Sequence, residues 1–218
     1  MRSFSHNRQY ATIRGFTLVE LLISLAIIIV ITSIVLVKYS AFDSTTILKG
    51  AAYEIALALR DSQVKSISVV RSDKNLDSSF NYPYGMTFTT ALSDQKKYVS
   101  FRYKDLATSP QYDVPDTQTP FAEDLGTGVL ERSMYIKDTC VVTNENNNPE
   151  YCSGAGITRL DISFRRPEFA AIFNAHGFNV VPQSRIISAK IKVGSTAGPG
   201  IFIVEVSKLG QITVKSGT

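Results

Sequence analysis

Apolar residues fall into three regimes along this chain. From Phe16 to Val37 they run almost without interruption, as FTLVELLISLAIIIVITSIVLV, with Glu20 the single charged residue. As a helix this run measures about 33 Å, the thickness of a bilayer's hydrocarbon core. Lys38-Tyr39 then marks an interface with water. Beyond it, Ile47-Leu48, Ala51-Ala52, Ile55-Ala56, Leu59, Ser62-Gln63 and Ser66 recur at three- and four-residue spacing. That spacing gathers small and apolar side chains on one helical face and leaves Glu54, Arg60 and Lys65 mostly elsewhere. One long helix is expected from about Phe16 to about Val70, with a bend near Asp43-Ser44 or Gly50. Its first half is apolar all round, and its second half is amphipathic and packs on a soluble head.

After Val70 the period changes to two. Residues 71–83 read as a loop. Gly85–Thr90 and Lys97–Tyr103 read as a hairpin turning at Leu92–Lys96. Residues 104–128 carry Pro110, Pro115, Pro120, Gly126, Gly128 and several acids, and read as a long loop. Ser133–Thr143 and Thr158–Arg165 are expected strands, the second with Leu160, Ile162 and Phe164 on one face. Ile187, Ala189, Ile191 and Val193 alternate with Ser188, Lys190 and Lys192. A turn through Gly194–Gly200 follows, then Phe202, Val204 and Val206, a short turn at Lys208–Gly210, and Ile212 and Val214. The fold class expected is α+β: a long N-terminal helix, transmembrane then amphipathic, packed on an antiparallel β-sheet head. The segments are a cytoplasmic leader at 1–15, a transmembrane and assembly helix at 16–38, its amphipathic continuation at 39–70 and a β-rich head at 71–218.

Glu20 is the anomaly of the apolar run. A carboxylate near the end of a membrane helix is costly without a partner, and by default points to function. With its neighbours it forms Arg14-Gly15-Phe16-Thr17-Leu18-Val19-Glu20-Leu21-Leu22, which resembles the processing motif of type IV pilins and of the pseudopilins of type II secretion. The resemblance covers the first quarter of the chain. It implies that a prepilin peptidase cuts between Gly15 and Phe16, that the new terminal Phe16 is N-methylated, and that Glu20 becomes the fifth mature residue. Cleavage leaves a positive amine at Phe16. Glu20 is suited to neutralise it, on its own chain or on a neighbouring subunit, because a paired charge is tolerable in an apolar assembly core and an unpaired one is not. Ala58–Ser66 resembles more weakly the helix end of GspH/FimT-like minor pseudopilins; Arg60 and the small residues agree, and Asp61 and Gln63 depart. The resemblance further implies, as partners, other pilin or pseudopilin subunits, an inner-membrane assembly platform and the membrane itself. The competing readings of the apolar run are an ordinary signal anchor and a cleavable secretory signal. The latter is disfavoured by the length of the run and by Tyr39 three positions before a cut after Ala41.

The formal charge of +4 changes the picture little. Three arginines and no acid lie in residues 1–15, so the rest is near balance. A basic leader before an apolar segment sets orientation, with the N-terminus inside and the head outside. An inner-membrane, single-pass location is expected, followed by an extracytoplasmic filament. Outside the membrane, Cys140 and Cys152 are expected to form a disulfide closing the polar loop Asn144–Pro149, the alternative being two free thiols. A metal site is not expected from two cysteines and the single histidine beyond the leader, His176, which sits in Asn174-Ala175-His176-Gly177, read as a turn. Asp113, Asp116, Glu123 and Asp124 offer oxygen ligands for calcium, but at no recognisable spacing. Walker A and dinucleotide fingerprints are missing and no cofactor is expected.

The function expected is structural and not enzymatic: a minor pilin or pseudopilin assembled through its N-terminal helix into a type IV pilus or type II secretion pseudopilus. The alternative is a pilus-tip binding module for DNA or a surface ligand. For DNA, the pairs Lys96-Lys97, Arg165-Arg166 and Lys190/Lys192, with Tyr98 or Tyr103 as exposed aromatics, compose a weak patch that scattered surface charge explains equally well.

Overall fold

The computed structural model describes residues 15–68, 83–103, 122–131, 133–165, 169–178 and 182–217, with backbone alone at 37–44, 103, 122 and 123. The leader through Arg14, the helix end expected at Val70, residues 71–82 and residues 104–121 of the long loop lie outside these. The chain divides at Phe42–Asp43 into two compact units.

The first unit is helical. Helix α1 (Leu18–Ile67) begins in it, three residues after Gly15. From Leu18 to Leu36 every side chain is exposed, at a mean hydropathy of 2.8, and the segment is long and apolar enough to cross a membrane. Its few hydroxyls do not break this character. Ser24, Thr32 and Ser33 donate to the carbonyls of Glu20, Ile28 and Ile29 one turn back, at 2.7–2.8 Å. Each is satisfied within the helix and asks nothing of lipid.

Among its described residues the second unit holds the rest of α1 and ten strands. Strands β1 (Tyr84–Thr89), β2 (Lys97–Tyr103), β3 (Ala122–Val129), β4 (Met134–Thr143), β5 (Glu150–Tyr151), β6 (Arg159–Phe164), β7 (Ala171–His176), β8 (Ile186–Ser195), β9 (Gly198–Ser207) and β10 (Ile212–Gly217) form two antiparallel five-stranded sheets. Their orders are β3-β2-β1-β6-β7 and β10-β9-β8-β4-β5. The amphipathic stripe of α1 is the one its spacing predicts: Leu48, Ala51, Ala52, Ile55, Ala56, Leu59, Ser62 and Ser66 are all buried. It joins one core with Met86, Phe88, Ile162 and Phe164 of the first sheet and Ile136, Ile191, Val204 and Val206 of the second. Small residues at 51, 52 and 56 permit close approach, while Ile55 and Leu59 supply the area removed from water.

Hydrogen bonds pin the end of the helix. Gln63 Nε2 donates to the carbonyls of Phe169 and Gly210, at 3.2 and 3.0 Å. Gly210 has φ +82°, and a Cβ there would lie 2.0 Å from the Phe169 carbonyl oxygen. The turn after β9 therefore requires glycine twice over, for its conformation and for its space.

Several expectations need correction. The long loop read over 104–128 ends earlier, because its last residues form β3, paired with β2 from Tyr103↔Ala122 to Lys97↔Val129. The turn read over Gly194–Gly200 narrows to Thr196–Ala197, and Gly198-Pro199-Gly200 open β9. His176 closes strand β7, and the turn falls one residue later, at Gly177 with φ +79°. Tyr98 is not an exposed aromatic. It is buried beneath α1, and its hydroxyl donates to Glu54 Oε1 at 2.8 Å.

Candidate functional site

The residues that the sequence singles out for processing and assembly lie together at the start of α1. Gly15 and Phe16 precede the helix, and Phe16 is 78% exposed. The peptide bond between them is outside any helical hydrogen-bond ladder, the state in which a peptidase can bind a backbone in extended form. Thr17 is the N-cap. Its Oγ1 accepts from the Glu20 backbone N–H at 3.3 Å, and its carbonyl accepts from Leu21 N–H at 3.2 Å. One of the helix's four orphan donors is thereby satisfied by a side chain.

Glu20 stands in the first turn of α1, exposed. A negative side chain here meets the positive end of the helix dipole, a favourable location worth about 0.3–1 kcal/mol at a water-exposed terminus. The pattern Thr17-Leu18-Val19-Glu20 is the sequence form of a capping box, a signal that a reading centred on the charge of Glu20 passes over. The Thr17 half of that box is present. Downstream of Glu20, Leu21, Leu22, Ile23, Leu25, Ile27, Ile28, and so to Leu36, are all more than half exposed within the chain. Such a continuous apolar surface is stable only against lipid or against other apolar helices.

In the head, Cys140 of β4 and Cys152 are joined as a disulfide across a sequence separation of 12. The loop between them turns through Asn147 and Asn148 at φ 72° and 46°, a conformation asparagine tolerates better than most residues. Returning as β5, it pairs Val141 with Tyr151 and Val142 with Glu150. Asp138 lies close to both sulfurs, but with the sulfurs bonded to each other this group is no metal site. Asp138 Oδ1 instead accepts the N–H groups of Thr139 and Ser153, at 2.9 and 3.1 Å.

Of the basic residues proposed for a DNA patch, Lys97, Lys190 and Lys192 are paired with acids, and Arg166 lies outside the described residues. Lys190 and Lys192 both reach Glu150. Burial raises the Glu150 carboxyl, but hydrogen bonds and charge from the two lysines outweigh it, and the net direction is down. Lys97 pairs with Asp94 at 3.5 Å. Of the acids considered for calcium, Asp124 caps the Gly126 N–H at 2.8 Å; Asp113 and Asp116 lie outside the described residues.

One cluster escapes a reading of the sequence. Asp161, 1% exposed, lies 2.6 Å from His176 Nε2 and 3.4 Å from Arg159 Nε. The residues share a face because β6 and β7 pair Arg159 with His176 and Asp161 with Asn174. Alternation in Arg159–Phe164 marks Asp161 as outward-facing, which is correct, but an outward position does not reveal burial.

Residues 11–36 match the family model described as the prokaryotic N-terminal methylation motif. No curated protein and no solved structure matches the chain significantly. The motif and the exposed apolar helix, the one such helix among the described residues, support a type IV pilin-like protein, a precursor for prepilin peptidase with a single-pass inner-membrane anchor.

Proposed function

We propose that the protein is a minor pilin or pseudopilin, cut between Gly15 and Phe16, N-methylated at Phe16, and assembled through the first part of α1 into a type IV pilus or a type II secretion pseudopilus. The observation that carries this reading is the placement of Glu20. It sits in the capped first turn of a helix whose next turns are uncharged, mostly apolar and exposed, five residues after the Gly15–Phe16 bond. In a filament the apolar helices replace lipid as each other's surroundings, and Glu20 pairs with a Phe16 amine, which fixes register. Membership of the GspH/FimT-like minor class is supported by Ala58–Ser66, where Ser62 and Ser66 are buried and Arg60 is exposed.

The test is intact mass and N-terminal sequencing of the protein from membranes of cells with an active prepilin peptidase. A new N-terminus at methylated Phe16 is expected. An intact leader, or a cut near Ala41, would reduce the protein to an anchored or secreted domain.

A further inference from the structure

The first sheet carries a cavity of about 680 Å³ on the face turned away from α1, within the range of about 300–1,000 Å³ that holds small ligands. Strand register builds its floor. Thr127 of β3 pairs with Val99 of β2, Val99 with Thr87 of β1, and Thr87 with Asp161 of β6. The row therefore presents threonine and valine methyls in line, with hydroxyls between them. Ala91 adds apolar wall, and Lys97 and Arg159 add cationic wall.

Two observations restrict what this cavity takes. Thr87 lines the cavity but is only 6% exposed, and its Oγ1 is buried without a hydrogen-bond partner. A buried hydroxyl left so is costly, and a χ1 rotation that turns it toward an occupant able to donate and accept removes the cost. Second, both cations beside the cavity have an acid next to them: Lys97 has Asp94 at 3.5 Å, and Arg159 has Asp161 at 3.4 Å. Charge around the cavity is thus balanced, which favours a neutral occupant over an anion. Threonine hydroxyls, one carboxylate and two cations share the lining with apolar methyls, a mixture that suits a ring with hydroxyls on its rim and C–H groups on its faces.

We propose that this cavity is a binding site for a neutral, polyhydroxylated ligand the size of one or two sugar rings. Thr87 and Thr127 hydroxyls, Lys97 and Asp94 take the ring's hydroxyls, and Val99 and Ala91 meet its C–H surface. The site does not depend on the filament reading.

The test is a titration of the isotope-labelled full chain, in a detergent with no sugar headgroup, with glucose, galactose and N-acetylglucosamine, followed by amide chemical shifts. Phosphate and acetate form the comparison arm. Saturable shifts centred on Thr87, Val99 and Thr127 with at least one sugar are expected. Thr127→Val, at an exposed position where folding is not at stake, should weaken that binding about threefold to tenfold, the worth of one neutral hydrogen bond. Thr87→Val should do the same with its shape preserved. Binding of phosphate or acetate with all three sugars inert, no saturable shift at all, or unchanged affinity in Thr127→Val would each overturn the proposal.

Discussion

The Tyr98 hydroxyl in β2 donates to the Glu54 carboxylate on α1 at 2.8 Å, tying the amphipathic part of the helix to the first sheet at a point 44 residues away in sequence. The same ring lies over Gly128 of β3, its cross-strand partner, so closely that a Cβ there would sit 2.1 Å from the ring. Tyr98 therefore covers a bare stretch of backbone and joins three elements.

Tyr98→Phe keeps the ring over Gly128 and removes only the bond to Glu54. Because Glu54 is exposed, the expected cost is about 1 kcal/mol. The bond also predicts a pH dependence. Burial, then the hydrogen bond and charge of Glu54, raise the Tyr98 phenol above its ordinary value of 10.0. A group raised in the folded state stabilises fully below its unfolded pKa, and that stability is lost as pH climbs from there toward the folded value. The wild-type head should lose stability above pH 10.0 more steeply than Tyr98→Phe does. Urea unfolding of the detergent-solubilised chain, read by tyrosine near-ultraviolet circular dichroism because the chain has no Trp, measures both. Parallel curves for the two proteins would remove the bond from the account.

Gly210→Ala should be among the most damaging small substitutions in the head. It forces a side chain into positive φ and against the Phe169 carbonyl, and displaces the Gln63 amide that bridges the two loops. A loss of about 2 kcal/mol or more is expected. Gln63→Met, which removes the bridge alone, should cost about 1 kcal/mol. If the two variants unfold at the same denaturant concentration, the steric argument fails.

How legible these features were in the sequence depended on where their cause lies. The stripe from Leu48 to Ser66, the hairpin of β1 and β2 and the meander from β8 to β10 all follow from local periodicity, and their sequence carries it. Strand β3 does not. Ala122–Val129 holds Glu123, Asp124, Gly126 and Gly128, a composition that local rules assign to a loop. What makes it a strand is its pairing with β2 and the Tyr98 ring that covers Gly128, neither of which is local. His176 was obscured by Gly177, since a glycine with positive φ ends the strand one residue after the histidine. Asp161 looks like any outward polar position of an alternating strand, and only the folded chain brings Arg159 and His176 against it. At the N-terminus the reverse holds. The methylation motif and the cap at Thr17 are both written in consecutive residues.

The Cys140–Cys152 bond should contribute about 3 kcal/mol to the head by limiting the unfolded chain, in the loop-entropy account. Cys140→Ala/Cys152→Ala and dithiothreitol treatment of the wild type should give the same loss. The intact, unreduced protein should resist alkylation, because Cys140 is fully buried and no described cysteine is free. Two alkylated thiols in protein taken directly from the envelope would overturn the assignment.

Glu20 is the residue on which the assembly reading turns, and charge must be separated there from the cap. Glu20→Gln keeps length, helix propensity and the Thr17 bond, which the backbone N–H of residue 20 makes, while removing the negative charge. Thr17→Val keeps the charge and a β-branched shape while removing the cap, at an expected cost of about 1 kcal/mol to the first turn of the helix. Both variants should enter the membrane, since insertion follows the apolar run from Leu18 to Leu36. Both should be cleaved after Gly15. They should then diverge in filaments. Without its carboxylate, a Glu20→Gln subunit leaves a cleaved Phe16 amine uncompensated among apolar helices, a cost that a packed assembly cannot dilute with water. Its incorporation into sheared filaments should fall at least tenfold, the effect of about 1.4 kcal/mol, while Thr17→Val incorporates near normally. Equal incorporation of Glu20→Gln and wild type would leave helix packing alone to set the register. Equal loss in both variants would assign the defect to the helix end and not to the charge.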